Sequence, residues 1–397
     1  MISRLTGLAS VQRVRNPKSK SVDASHEICR HSPSMDVTRT AFGSWNGGRF
    51  MHFGMPLEEA RWVALVRRAW EAGVRTFVTA DVYGAGQADE LLGKALREFP
   101  RDSYCLVGAI GHDFYAARRD GAKGYPRFTD PGLRSAREYG DYVRKAVDRS
   151  LQRLGTHRLD LLLLHNPDSI GYGSDAVWDS LRRVRDEGMT DRLGVAPGPA
   201  NGFTLDLLQC LDRFGEVIDW AMVILSPFEP WPGRLVLSAA EAHGVGILTR
   251  VVDHGGIFHD DVRPGHRFGP SDHRSFRPTG WVEAGCEKLE QLRPIARTHG
   301  VTPLQLACAW NLQQCAVRSV IPTLIQELGE EAKTIEAKLD ELAGLPDLRL
   351  DDSELRRIAD VGDNTGCMAL KGANPDHHGD PEPDRWAVSS DLAQTAQ

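Results

Sequence analysis

A carboxylic acid and a phenol stand two residues apart at the end of a short apolar run, Arg75-Thr-Phe-Val-Thr-Ala-Asp-Val-Tyr-Gly84. The run from Thr76 to Ala80 mixes β-branched, aromatic and small residues, the composition of a buried strand. Residues two apart on an extended chain point to the same side, so Asp81 and Tyr83 are expected to share one pocket. The chemistry that suits such a pair is proton transfer. An ionised carboxylate alone raises a phenol's pKa from its reference of about 10, so a cation or a shared proton network must accompany the pair. The plainer alternative has Asp81 capping a helix that begins near Gln87, with Tyr83 packed on the rim. Two further groups sit in similar places. His165 ends the nearly all-apolar run Leu159-Asp-Leu-Leu-Leu-Leu-His165, and Arg250 lies near the end of Gly246-Ile-Leu-Thr-Arg-Val-Val252.

These residues need elements to hold them. From Thr38 onward short apolar runs alternate with amphipathic stretches. Strands are expected over residues 40–45, 75–80, 103–108, 159–165, 192–196, 218–225, 246–252 and 318–322. Helices are expected over 57–72, 87–97, 139–154, 177–187, 205–214, 233–243, 282–299, 304–314 and 328–342, with a last one over 352–358. A strand trailed by a helix, repeated eight times, predicts an α/β fold of the closed (β/α)8 barrel type in a single domain. An open doubly wound sheet would want a Gly-rich phosphate fingerprint after its first strand, and Gly43-Ser-Trp-Asn-Gly-Gly48 does not supply one. In such a barrel the chemistry sits at the carboxyl ends of the strands. One mouth then collects Asp81, Tyr83, His165 and Arg250. The unpatterned segments 112–138 and 253–280 read as long loops leaving the same face.

Composition narrows the class. The 397 residues are 41% hydrophobic and 26% charged, ordinary for a globular protein. A formal net charge of −6 gives no electrostatic case for nucleic acid or an anionic membrane. Seven cysteines without C-x-x-C spacing fit reduced thiols in a cytoplasmic protein. No apolar run reaches the roughly 18 residues of a membrane helix. Residues 1–34 carry six basic and two acidic residues and no apolar segment, so they are expected to be a disordered arm. Residues 35–371 are expected to form the barrel, and the polar, Pro-rich stretch 372–397 to be a disordered tail.

Three stretches resemble the aldo-keto reductase superfamily. They are Ala72 to Leu96, Ser150 to His165, and His299 to Trp310 followed by Ser319-Val-Ile-Pro322. The resemblance runs in order over about residues 38 to 360 and implies a (β/α)8 barrel that binds NADP or NAD without a Rossmann domain. It implies hydride transfer between the nicotinamide and a carbonyl or alcohol substrate. Asp81, Tyr83 and His165 match three of the family's four catalytic residues, with Tyr83 as general acid and His165 orienting the carbonyl oxygen. The fourth, a lysine, falls on Ala109. Ser44, Trp45, Arg250, Thr323 and Gln326 are the positions implied for the cofactor. The family's Gly-Val-Ser-Asn is here Gly194-Val-Ala-Pro, its strand-six glutamine falls on Met222, and its stacking aromatic on Arg250. The segment Ile321 to Glu331 holds no Lys or Arg, which favours NAD over NADP.

Two readings follow. One is a divergent NAD(P)-dependent oxidoreductase in which Arg250 supplies positive charge near Tyr83. The other is a barrel that has left nicotinamide chemistry for a redox-neutral lyase or epimerase step, or for ligand binding alone. His112, Trp231 and His254 are expected to face the substrate, a small carbonyl, alcohol or sugar. Asp253-His-Gly-Gly-Ile-Phe-His-Asp-Asp261 has no standard metal-ligand spacing, so a solvated substrate loop is expected rather than a metal site. The charge-rich stretch Glu327 to Glu341 is expected to be a solvated helix face.

Overall fold

The alternation of apolar runs and amphipathic stretches closes into a barrel in the computed structural model, which describes residues 35–119, 124–198, 202–269, 271–277 and 279–364. Eight parallel strands pair in sequence order: β1 (Ala41–Gly43), β2 (Thr76–Val78), β3 (Cys105–Ile110), β4 (Leu161–His165), β5 (Leu193–Ala196), β6 (Trp220–Ile224), β7 (Gly246–Arg250) and β8 (Val317–Ile321). A bridge between Thr40 and Val320 brings the first strand to the last. The fold is therefore the expected (β/α)8 barrel. The expected arm 1–34 and tail 372–397 lie outside the described residues.

Period-two side-chain alternation sorts each strand into a lumen face and a helix face. On β3, Cys105, Val107 and Ala109 join Leu161 and Leu163 of β4 in the cluster that fills the lumen. Leu106, Ile110, Leu162 and Leu164 pack outward against the helices. The same alternation aims His165 and Arg250 inward at the carboxyl ends of β4 and β7.

The outer ring holds α1 (Glu59–Glu71), α2 (Gln87–Leu96), α3 (Tyr139–Leu154), α4 (Ser169–Gly173), α5 (Asp175–Asp186), α6 (Gly202–Phe214), α7 (Gly233–His243), α8 (Trp281–Thr298), α9 (Pro303–Leu312), α10 (Ile335–Ala343) and α11 (Asp352–Gly362). The short α4 has no sequence period; Asp168 makes it by accepting the Gly171 N–H at 2.8 Å. The last helix before α11 starts later than expected, because Thr334 caps it. Residues 322–334 are thereby left as the connection between β8 and that helix. The stretch Glu327 to Glu341 is solvated in part, with Leu328 to Glu331, Ala337 and Asp340 exposed, but its Glu327 is 2% exposed and its Lys338 fully buried. The loop after β7 departs from expectation in the same way, since Asp253, Ile257, Phe258, His259 and Arg274 are all buried. The described residues contain no helix long and apolar enough to cross a membrane.

Candidate active site

Strand β2 ends at Val78, and the chain turns at once. Val82 is helical (φ −73°, ψ −19°), and the Tyr83–Gly86 stretch is kinked, with Gly84 and Ala85 in the left-handed region at φ 59° and 52°. The extended geometry expected for Asp81 and Tyr83 is therefore absent, and no hydrogen bond joins the two side chains. Asp81 does not cap the following helix either; Gly86 holds that position. The turn sends the two groups different ways. Tyr83 goes up into the mouth, partly exposed, and Asp81 goes down into a fully buried site. Gly86 is required there, because a Cβ would lie 2.7 Å from Arg153 Cδ passing beneath the turn.

In the mouth the rings form a chain of edge-to-face contacts. Trp45 meets Tyr83 at 6.4 Å between centroids, Tyr83 meets His165 at 5.6 Å, and His165 meets His112 at 5.3 Å. The close approach of His112 to His165 depends on Gly111, where a Cβ would fall 2.1 Å from the His165 carbonyl oxygen. His112 Nδ1 lies 3.0 Å from both the Tyr125 carbonyl and Arg127 Nη1, and its Nε2 3.2 Å from the Asn166 amide. Arg127 also donates through Nε to the Asn166 carbonyl, which fixes that residue in the left-handed region at φ 46°. Arg250 donates through Nη2 to the carbonyls of Pro197 and Gly198, at 2.6 and 3.1 Å.

The electrostatics follow from burial. Desolvation pushes the His165 imidazole well below its ordinary value, helped by His112, Arg250 and Arg127. Desolvation and then the Arg127 cation hold His112 at about 3. Both histidines are neutral at physiological pH. Enclosure raises the Tyr83 phenol, and the Arg250 charge opposes it. Tyr83 is thus a protonated acid at neutral pH, with a guanidinium from β7 as the cation that faces it. Ala109 is inward and 4% exposed, and its carbonyl accepts the Asp81 N–H at 3.0 Å. No basic side chain rises from β3.

The other expected site residues divide. Ser44 is fully buried and donates to Thr79 at 3.3 Å, below the mouth. Thr323 donates its N–H to Asp253 at 2.7 Å, and Gln326 takes Arg61 and the Ile335 N–H at 3.0 and 3.1 Å. His254 lies 3.3 Å from Glu229 and edge-on to Trp281, while Trp231 is 1% exposed and bonded through its backbone to Asn364. Thr323, Gln326, His254 and Trp231 thus make these contacts on the β6–β8 side, apart from the Tyr83–His165 pair. The described residues contain no cluster of three or more His, Cys, Asp or Glu arranged to hold a metal.

Several contributors escaped the sequence reading. Asn166 had one available signal, its place directly after His165. Asp89 had another: an acid on the face of α2 that carries Ala88, Leu92 and Ala95, all buried. Arg127 and Tyr115 come from the unpatterned loop after β3 and had none.

The sequence model of the Aldo/keto reductase family matches residues 41–362, across the whole barrel just described. This chain belongs to the aldo/keto reductase family. Among curated relatives, the D-threo-aldose 1-dehydrogenase of a Pseudomonas species is 25% identical over 312 residues, covering 75% of this chain and 88% of its own. The solved glycerol dehydrogenase of Gluconobacter oxydans superposes with a TM-score of 0.66 at 23% identity, over 83% of this chain and 93% of its own. An aldo/keto reductase of Klebsiella pneumoniae, solved with NADP and acetate, gives 0.57 at 21% identity over 84% and 95%. Family membership supports oxidoreductase activity with a nicotinamide cofactor in general.

Proposed function

We propose that this barrel transfers hydride between NAD(P) and a small carbonyl or alcohol substrate, with Tyr83 as the general acid. The observation that carries the reading is the meeting of Tyr83 and His165, 5.6 Å apart, at the carboxyl end of a barrel of this family. The nicotinamide, when bound, supplies the hydride. Tyr83, protonated at neutral pH, gives its proton to the carbonyl oxygen as the new C–H bond forms. A neutral His165 has one N–H to offer and orients that oxygen. In the reverse direction Tyr83 must first lose its proton, which its raised pKa disfavours. Reduction is therefore the favoured direction at neutral pH, and alcohol oxidation gains as pH rises.

The residues at the mouth suit a ligand that carries both donors and acceptors. His165 Nδ1, Asn166 Oδ1 and Arg250 Nε are buried without partners. Trp45 and Arg250 flank the position of Tyr83 and can hold a flat ring. The adenosine end falls to the segment around Thr323 and Gln326. There residues 321–331 carry no Lys or Arg, Arg274 is bonded to Asp272 and Glu327, and Arg61 beside Gln326 is paired with Glu336, so NAD is favoured over NADP. His112 is the substrate-facing residue nearest the reacting groups. A cytoplasmic location completes the proposal.

A second reading draws on Ala109. With no cation rising from β3, the mouth also suits a redox-neutral elimination or epimerisation, or ligand binding alone. Titration with NADH and NADPH, followed by nucleotide fluorescence, separates the two. The first reading expects saturable binding and substrate-dependent loss of nucleotide absorbance over a panel of aldehydes, ketones and sugars. Binding of neither nucleotide overturns it in favour of the second.

A further inference from the structure

Below the mouth, two carboxylates lie close to one guanidinium that bonds only one of them. Asp81 and Asp89 are both fully buried. Arg153 of α3 reaches Asp89 Oδ2 through Nε and Nη2, at 3.3 and 3.1 Å. The hydroxyls of Ser150 and Thr79 complete the Asp89 carboxylate at 2.8 and 2.9 Å. Asp81 receives far less. The Tyr115 hydroxyl donates to its Oδ2 at 3.3 Å, and its Oδ1 has no partner. Tyr115 in turn accepts from Arg153 Nη2 at 3.2 Å.

The surroundings add no second cation to Asp81. From the loop after β3 come Tyr115 and Asp113, and Asp113 is held by Arg134. From α3 come Arg153, the Tyr142 phenol, and Lys145, whose ammonium lies over the Tyr115 ring 5.5 Å from its centroid. From α2 comes Asp89, and from the turn itself the Val82 N–H, which exerts a weaker pull. A buried carboxylate with one long side-chain hydrogen bond, a weaker backbone one and no cation bonded to it is cheaper to protonate than to keep charged.

We infer that Asp81 is a neutral carboxylic acid in the folded protein, with Tyr115 as the positioning residue that orders it and Arg153 committed to Asp89. The proton sits on Oδ1, which leaves Oδ2 to accept from Tyr115. Burial, then the nearby Asp89 charge, push Asp81 well above the carboxylate range, and Arg153 and Tyr115 oppose them. Burial raises Asp89 too, but three side chains stabilise its anion, so the shared proton goes to Asp81. The consequence for catalysis rests on the oxidoreductase reading: a neutral Asp81 brings no charge to the proton transfer at Tyr83, where Arg250 is the cation that opposes burial. The charge state of Asp81 itself does not depend on that reading.

Infrared difference spectra at neutral pH test the inference on the full chain. Wild type minus Asp81→Asn is expected to show the C=O stretch of a protonated carboxyl, lost in the variant. Tyr115→Phe is expected to keep that band and move it to higher frequency, because the C=O then accepts no hydrogen bond. Loss of carboxylate bands instead, with no acid band, overturns the inference. An acid band unmoved in a folded Tyr115→Phe protein overturns the role of Tyr115. Should Asp81→Asn fail to fold, carboxyl-13C-labelled aspartate in wild type and Tyr115→Phe decides by the same band and shift. An intact acid band in a protein that turns over no nicotinamide would mark failure of the proposed reaction alone.

Discussion

The end of β4 and the loop network around Arg274 are both polar and both buried, and they use their polar atoms in opposite ways. Around β4, His165 Nδ1 and Asn166 Oδ1 are buried with no partner. Across the barrel, the Arg274 side chain alone makes five hydrogen bonds, to Asp272, Glu327 and the Gly255 carbonyl. Nearby, Lys338 donates to the Ile325 carbonyl and pairs with Asp261, both at 2.6 Å. Buried polar groups are normally satisfied, so unpaired ones point to a function outside the fold. The pair beside β4 is thus open to a ligand, whereas the Arg274 network locks two loops together; the unpaired Arg250 Nε extends the open part of the mouth to the end of β7.

The strongest way to break the contrast is to cut the locking network. Arg274→Met leaves Glu327 and Asp272 buried without their cation, and a broken buried pair costs about 3–5 kcal/mol. Urea unfolding should show that loss, and a change below about 1 kcal/mol would contradict a structural role for the network.

On the opposite side the effects should exchange places. His165→Ala removes a buried ring that meets Tyr83 and His112 edge-on, so about 2 kcal/mol of stability should be lost to the cavity, less than for the broken ion pair. Carbonyl reduction should fall by about 10²–10³-fold, the worth of one preorganised donor. Steady-state turnover together with thermal unfolding checks both halves, and unaltered turnover would remove His165 from the chemistry.

Acid sharpens the comparison further. Burial raises Glu327, but hydrogen bonds from His266 and Arg274 outweigh it and hold the group at about 2, against 4.5 ordinarily. A depressed carboxyl contributes stability above its unfolded pKa and loses it as pH falls through the folded value. About 3 kcal/mol should disappear between roughly pH 4.5 and 2. Glu327→Gln should lack that component in unfolding measured against pH. An identical acid profile in the variant would show that the pair is not strongly coupled.

Legibility divides along the same line. The barrel was readable because eight apolar runs and their trailing helices keep clean periods, and α3 and α7 fall where the pattern places them. Strand β3 starts at Cys105 rather than Ser103, since Arg101–Ser103 form a 3-10 turn. Tyr83 and His165 were readable as chemistry at strand ends. The separate orientations of Asp81 and Tyr83 were not, because the turn begins before Asp81 and no period marks it. The burial of Glu327, Arg274 and Lys338 was hidden for a related reason. A charge paired across the fold looks the same in sequence as a solvated one, and its partner lies 53 residues away in the case of Arg274 and Glu327.

The most direct test of the proposed chemistry is Tyr83→Phe, assayed for carbonyl reduction with NADH or NADPH from neutral to alkaline pH. The variant keeps the ring contacts with Trp45 and His165 and removes only the acidic hydroxyl. Nucleotide binding should be unimpaired, and turnover should fall by about 10²–10⁴-fold. In wild type, reduction should decline only as pH passes the raised pKa of the phenol. Full turnover in Tyr83→Phe would contradict the role of the phenol as general acid and pass the proton to another group.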